Sequence, residues 1–225
     1  MRGVRIGTGS TSLDLYLPAT GDGVQPVPFN EIRLGNGLKP ELIWSVPQVT
    51  SHEFADSGSI VVPEWVDYVD IIALGSGGGG AGGNGANSTA GNGGGAGSWS
   101  NNTFTGLAGA VLNVVCGAGG AGSPSKETAG SPGNATTVTL GGGSQIVSAP
   151  GGFAGAGYGG DPGRAVVTNT YRTIAYNGGA AAGTNVNGNP PGGGGGPGSG
   201  GIFGAGNAGR AGGKGKVWMV FRNTL

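Results

Sequence analysis

Two segments alternate apolar and polar residues in the manner of strands, and they bracket most of the chain. In residues 66–74, Val66, Tyr68 and Asp70 fall on one face and Val69, Ile71 and Ala73 mostly on the other. The apolar run 71–74 then predicts a strand buried on both sides. Residues 216–222, KVWMVFR, form the second such segment. Shorter apolar or β-branched runs at 59–62, 111–116 and 136–140 predict further strands, with Phe54 near the first of them. Upstream, Val4-Arg5-Ile6-Gly7-Thr8-Gly9 is echoed by Ile32-Arg33-Leu34-Gly35-Asn36-Gly37. Each copy leads to an apolar run ending in proline, at 13–18 and 41–47. Short β runs stopped by Gly-x-Gly turns suit small hairpins. Residues 1–49 therefore read as a small β module with a thin core, expected to dock onto the rest of the chain or a larger assembly.

Between the bracketing strands the pattern gives way to glycine. The chain has 225 residues and 57 glycines, of which 49 fall within residues 75–215. That insert belongs to a main domain expected over residues 50–225, closed by the strand at 216–222. Three outcomes are physically open for it. Disorder is the default for Gly/Ser-rich sequence, because ordering each backbone costs about 1–2 kcal/mol and glycine the most. A collagen triple helix needs glycine at every third position, and the cluster Gly75, Gly77, Gly78, Gly79, Gly80, Gly82 and Gly83 breaks that period. The third outcome is a bundle of three-residue-per-turn helices of the polyglycine II type, whose backbone groups must be paired laterally.

A lateral bundle needs several short glycine runs separated by turns. The sequence has them at 77–85, 91–97, 117–122, 141–143, 151–160 and 192–209. Non-repetitive stretches with aromatic and β-branched residues, such as 99–107 and 165–176, interrupt them as a low-complexity linker would not. The expectation is a mainly β fold with little or no α-helix, in which a β-sandwich-like scaffold carries the bundle, disorder being the alternative. Glycine buries almost no apolar area, and each lateral hydrogen bond contributes only about 1 kcal/mol net. Strands must therefore pin the ends. Phe153 and Phe203, flanked by glycine, are expected to seal the bundle.

Chemistry adds little. Gly75-Ser76-Gly77-Gly78-Gly79-Gly80 satisfies G-x-G-x-x-G after a strand, but the glycine-rich continuation cannot start the helix that a dinucleotide site requires. Gly213-Lys214-Gly215 is not a phosphate loop. His52 is the only histidine and Cys116 the only cysteine, so no metal site is expected and Cys116 reads as a small buried hydrophobe. Asp56, Glu64, Asp67 and Asp70 lack a histidine or nucleophile partner; no catalytic residue, cofactor or enzymatic activity is expected. Formal net charge is zero with 10% charged residues, which gives no basic patch for nucleic acid. The opening MRGVRIG lacks the apolar core of a secretory leader, and no run reaches the length of a membrane span.

The Val-Asp-x-Ile strand feeding G-x-G-G-G-G, the repeated Gly-Gly patches and the closing Gly209-Arg210-Ala211-Gly212-Gly213-Lys214-Gly215-Lys216-Val217-Trp218-Met219-Val220 resemble the glycine-rich domain of bacteriophage tail proteins. The Ile-Arg-Leu-Gly-x-Gly opening with its Leu-Ile-Trp strand is similar to openings of minor tail proteins from phages of actinobacteria. In related tail-fibre tip adhesins of T-even-like phages, a polyglycine sandwich displays loops that recognise the host surface. The resemblance implies a minor tail protein at the tail tip or tail fibre of the virion. It would be a homo-oligomer, a trimer by analogy. Its partners would be other tail proteins and a host glycan or surface protein, with no nucleic acid and no membrane insertion. A purely structural tail spacer and a bacterial glycine-rich surface or matrix protein are the alternatives.

If loops carry recognition, the aromatics between glycine runs are the candidates, because ring faces stack on sugars and amides bind hydroxyls. These are Trp99, Phe104, Tyr158, Tyr171 and Tyr176. Beside them stand Asn101, Asn102, Asn169 and Asn177. The alternation Val167, Asn169, Tyr171, Thr173, Ala175 also fits a plain strand.

Overall fold

The computed structural model describes residues 47–224 and, within residues 1–46, the backbone of four strands. The chain divides into two compact units, Met1–Val46 and Pro47–Leu225. In the first, β1 (Gly3–Thr8) pairs antiparallel with β2 (Thr11–Tyr16), and β3 (Glu31–Gly35) with β4 (Pro40–Ser45). Each copy of the sequence echo thus starts a hairpin. The expected docking role of this module involves side chains outside the described residues.

The second unit is built on two antiparallel sheets. One contains β5 (Val49–Phe54), β7 (Tyr68–Leu74), β8 (Trp99–Thr105) and β14 (Lys216–Arg222), in the order β5-β14-β7-β8. The other contains β6 (Gly58–Val61), β9 (Val111–Val115), β10 (Thr136–Leu140) and β11 (Gln145–Ala149), in the order β11-β10-β9-β6. A small hairpin joins β12 (Asn169–Tyr171) to β13 (Ile174–Tyr176). There is no α-helix among the described residues.

Alternation sorts the side chains as a sandwich requires. Val69, Ile71 and Ala73 of β7 and Val217, Met219 and Phe221 of β14 meet Leu112, Val114, Val138 and Val147 of the facing sheet. Burying the larger of these aliphatics contributes about 1.5–3 kcal/mol each. The opposite face of the first sheet is also covered: Ile72, Leu74 and Trp218 pack against Tyr176, Trp99, Val166 and Tyr171. The two strands read from alternation, β7 and β14, are the central pair and are buried on both faces.

Beyond the sheets the strands run on into a hexagonal bundle. Residues 75–84 continue β7 as its central helix, and every amide in that run donates to a neighbour in steps of three. Gly75, Gly78 and Ala81 donate to Ser98, Gly95 and Asn92; Ser76, Gly79 and Gly82 to Asn134, Ser131 and Thr128; Gly77, Gly80 and Gly83 to Gly213, Arg210 and Asn207. These three acceptor runs descend as the central run ascends, so they are antiparallel to it. Three more runs donate into the central carbonyls and lie parallel: Gly120 and Ser123 bond Gly77 and Gly80, Gly152 and Gly155 bond Ser76 and Gly79, and Gly195 and Gly198 bond Gly78 and Ala81. Bonds between neighbours, such as Gly94 to Gly195, Gly213 to Gly193, Gly212 to Gly120, Ser131 to Ala121, Gly133 to Gly152 and Gly95 to Phe153, close the ring of six. This is the threefold geometry of polyglycine II, with all pairing between helices.

Five of the six outer runs are direct continuations of strands: 89–98 enters β8, 117–123 leaves β9, 128–134 enters β10, 150–156 leaves β11 and 207–215 enters β14. The sandwich therefore pins the bundle at one end. At about 3.1 Å per residue the central helix carries the far end about 30 Å from the sheets.

Two expectations change. The 141–143 cluster is the turn between β10 and β11, where Gly143 has φ +91° and the amide of Gly143 donates to the carbonyl of Leu140; its place in the bundle is taken by 128–134. Phe153 and Phe203 do not seal anything, being 86% and 99% exposed. Helices packed backbone against backbone leave interior room only for side chains as small as those of Ser76 and Ala81, so a ring can only point outward.

Candidate functional site

Two surfaces gather the chemistry. One is the far end of the bundle, where loop 84–89 joins the central helix to the ring and loops 123–128 and 201–207 join helices of the ring. They interlock through backbone and side chain. Gly204 donates to the Gly85 carbonyl (2.7 Å), Gly85 to Glu127 Oε1 (3.0 Å), and Lys126 Nζ to the Gly204 carbonyl (2.9 Å). On this base Phe203 stands in the left-handed region at φ +51°, fully exposed beside the half-exposed Ile202. Tyr158 lies near the same end, bridged to Gly91.

The other surface is the outer face of the first sheet under the β12–β13 hairpin. Leu74 pairs with Trp99, Ile72 with Asn101 and Asp70 with Thr103, so Trp99, Asn101 and Thr103 share that face. The Trp99 ring lies 5.5 Å from Trp218, and its Nε1 donates to the Val167 carbonyl at 2.8 Å. Tyr176 meets the same Trp218 edge-on at 5.5 Å.

At the centre Asp70 is buried with a 4% exposed side chain. Arg222 grips it through Nε (2.8 Å) and Nη2 (3.2 Å), Arg172 reaches it through Nε (3.1 Å), and Thr103 donates its hydroxyl. The Tyr171 hydroxyl completes the chain at 2.6 Å from Thr103. Burial pushes the Asp70 carboxyl up, but the hydrogen bonds from Arg222 and Thr103 and the charges of Arg222 and Arg172 outweigh it and hold the group below its ordinary value.

The hairpin that delivers Arg172 is strained. Its two turn residues, Arg172 and Thr173, have φ of +46° and +68°, the conformation of a type I′ turn that ordinarily takes Asn-Gly. A β-branched residue there costs on the order of 1–3 kcal/mol. Thr173→Gly is therefore expected to stabilise the unit by about 1 kcal/mol in chemical denaturation, because relief of strain exceeds the entropy lost by adding a glycine.

Of the sequence candidates, this face brings together Trp99, Asn101, Asn169, Tyr171 and Tyr176. Tyr176, expected to be exposed, is 7% exposed and serves as packing. Phe104 lies on the other face of β8, against the sandwich core. Asn102 is exposed, paired with Ile71 on that same side. Asn177 accepts from the Thr168 hydroxyl at 3.0 Å, and Tyr158 is remote. The expected single strand through 167–175 is two strands, broken at Arg172–Thr173. Sequence reading missed Arg172, Arg222 and Thr103, whose link to Asp70 spans up to 152 residues of chain. Cys116 is buried, its thiol donates to the Phe54 carbonyl (3.2 Å), and burial pushes its pKa up.

A family model described as a glycine-rich domain matches residues 53–184. No curated protein matches the sequence. The matched stretch holds the central helix and four of its six neighbours, while residues 192–222 add the last two and β14. With more than half of its length covered by that match, the chain belongs to the glycine-rich domain family.

Proposed function

We propose that this chain is a non-enzymatic component of a bacteriophage tail tip or tail fibre, whose glycine bundle holds loops out toward the host surface. The observation that carries this reading is the exposed pair Ile202 and Phe203, mounted on interlocked loops at the end of the bundle remote from the sandwich. A fully exposed aromatic ring offers its face to a sugar ring or an apolar pocket. The tail-protein motifs at 66–80 and 209–220 support the setting. On this reading the chain sits in the virion as a homo-oligomer, contacts other tail proteins and meets a host glycan or protein.

The test is Phe203→Ala in purified protein and in virions. The ring makes almost no internal contact, so the melting temperature should stay within about 1 °C, while attachment to host cells falls by tenfold or more. Attachment unchanged in a folded variant contradicts the display reading and leaves a structural spacer.

A further inference from the structure

The outer face of the first sheet holds a groove of about 260 Å³ between the hairpin and the β5–β14 edge. Its charged lining residues are Asp70, Arg172 and Arg222, two guanidinium groups against one carboxylate. Asp70 is saturated, bound by Arg222, Arg172 and Thr103 at once. Arg222 spends its remaining Nη1 on the Thr224 carbonyl. Arg172 differs: its side chain is 38% exposed, Nε and Nη2 face Asp70 and Thr103, and Nη1 meets no acceptor among the described residues. One positive charge and one free donor are thus left at the groove. On the same hairpin face, Asn169 Nδ2 is buried without an acceptor.

Size and walls narrow the ligand. The volume lies just below the roughly 300 Å³ where sites for drug-sized molecules begin, so it admits about one ring. Tyr171, Ile174, Val49 and Val220 supply apolar and aromatic wall, which suits the face of a sugar. A guanidinium pairs with a carboxylate in a charge-assisted contact, and two guanidinium groups against one carboxylate leave a single positive charge that one carboxylate balances. A free amino acid would bring an ammonium group, and the only carboxylate in the lining is already fully bonded.

We propose that this groove binds a single carboxylated sugar of the uronic acid kind, its carboxylate on Arg172 and its ring against Tyr171 and Ile174. The ion pair with Asp70 and the contacts to Thr103 hold the guanidinium in place before binding, which lowers the ordering entropy lost on association. The inference does not depend on the tail reading.

The experiment titrates the full chain with glucuronate by calorimetry, with glucose, acetate and N-acetylglycine as comparisons. Saturable 1:1 binding of glucuronate is expected, at least tenfold tighter than each of the other three. Arg172→Gln should weaken it tenfold or more. Because that change also loosens the hairpin, Val49→Glu provides a second test: Val49 is exposed at the groove rim, so a new carboxylate there should weaken glucuronate binding about fivefold without moving the melting temperature. Phe203→Ala should leave binding unchanged. No saturable glucuronate binding, a comparison compound binding as tightly, or Val49→Glu without effect overturns the proposal.

Discussion

Gly79→Ala is expected to destabilise the second unit by about 3 kcal/mol, a large fraction of the roughly 5–15 kcal/mol that holds a typical domain folded. A methyl built there lies 1.9 Å from the Ala121 carbonyl oxygen, and the atoms behind it are backbone that no rotamer change can move. The effect is one of space, since Gly79 is not in the left-handed region. Substituting alanine for a glycine normally stabilises by about 0.4–1 kcal/mol through the unfolded state; here overpacking and the lateral hydrogen bonds lost when the helices part set the sign. Gly142→Ala is the internal control. A methyl at Gly142 meets nothing within 4 Å, so the change should be neutral or stabilising by up to about 1 kcal/mol. Urea midpoints of the two variants, at equal slope, read the contrast directly.

The second large effect is expected at Asp70. Asp70→Asn keeps the shape but leaves two guanidinium groups without their carboxylate, one of them on a side chain only 8% exposed. Breaking a buried pair in this way costs about 3–5 kcal/mol. Asp56→Asn removes the exposed partner of Lys214 and should leave the urea midpoint close to that of the wild type. The same carboxylate sets a pH dependence. Because its pKa is lower in the folded than in the unfolded chain, the stabilisation is fully present above the ordinary value of 3.8 and fades as pH falls through the depressed one. Wild-type stability should therefore fall as pH drops below about 4, and the Asp70→Asn variant should show a shallower fall.

The sequence carries much of this architecture, but unevenly. β7 and β14 are legible because burial on both faces leaves an apolar run that nothing else explains. The bundle is legible as broken glycine runs, and its arrangement is encoded more finely than density shows. The central helix touches neighbours on all sides, so 75–83 is glycine except for Ser76 and Ala81. Outer helices meet the centre with one face in three, and glycine recurs there at 91, 94 and 97, at 130 and 133, at 152 and 155, and at 209, 212 and 215. In 128–134 two inward glycines suffice: methyls on Gly130 and Gly133 would come within 2.3 Å of the Gly79 carbonyl oxygen and 2.6 Å of the Ser76 carbonyl oxygen. A count of glycines passes over that run, whereas a period of three finds it.

The site is less legible for a related reason. Trp99 and Tyr171 stand out as aromatics among glycines, and they do meet on one face. The Asp70 cluster assembles from β7, β8, the hairpin turn and β14, so no local pattern marks it. Arg172 and Thr173 look like strand residues, since nothing in an Arg-Thr pair announces a turn with two positive φ angles.

Residues 75–84 form an ordered helix with every amide bonded to a surrounding ring. Native-state hydrogen exchange on the intact chain tests it most directly. The amides of residues 77–83 have no route to solvent except parting of the ring, so they should exchange only with global unfolding, as slowly as those of β7 and β14. Exchange of these glycines at the rate of an unstructured chain, with β7 still protected, would show the bundle to be a linker and the account to be wrong.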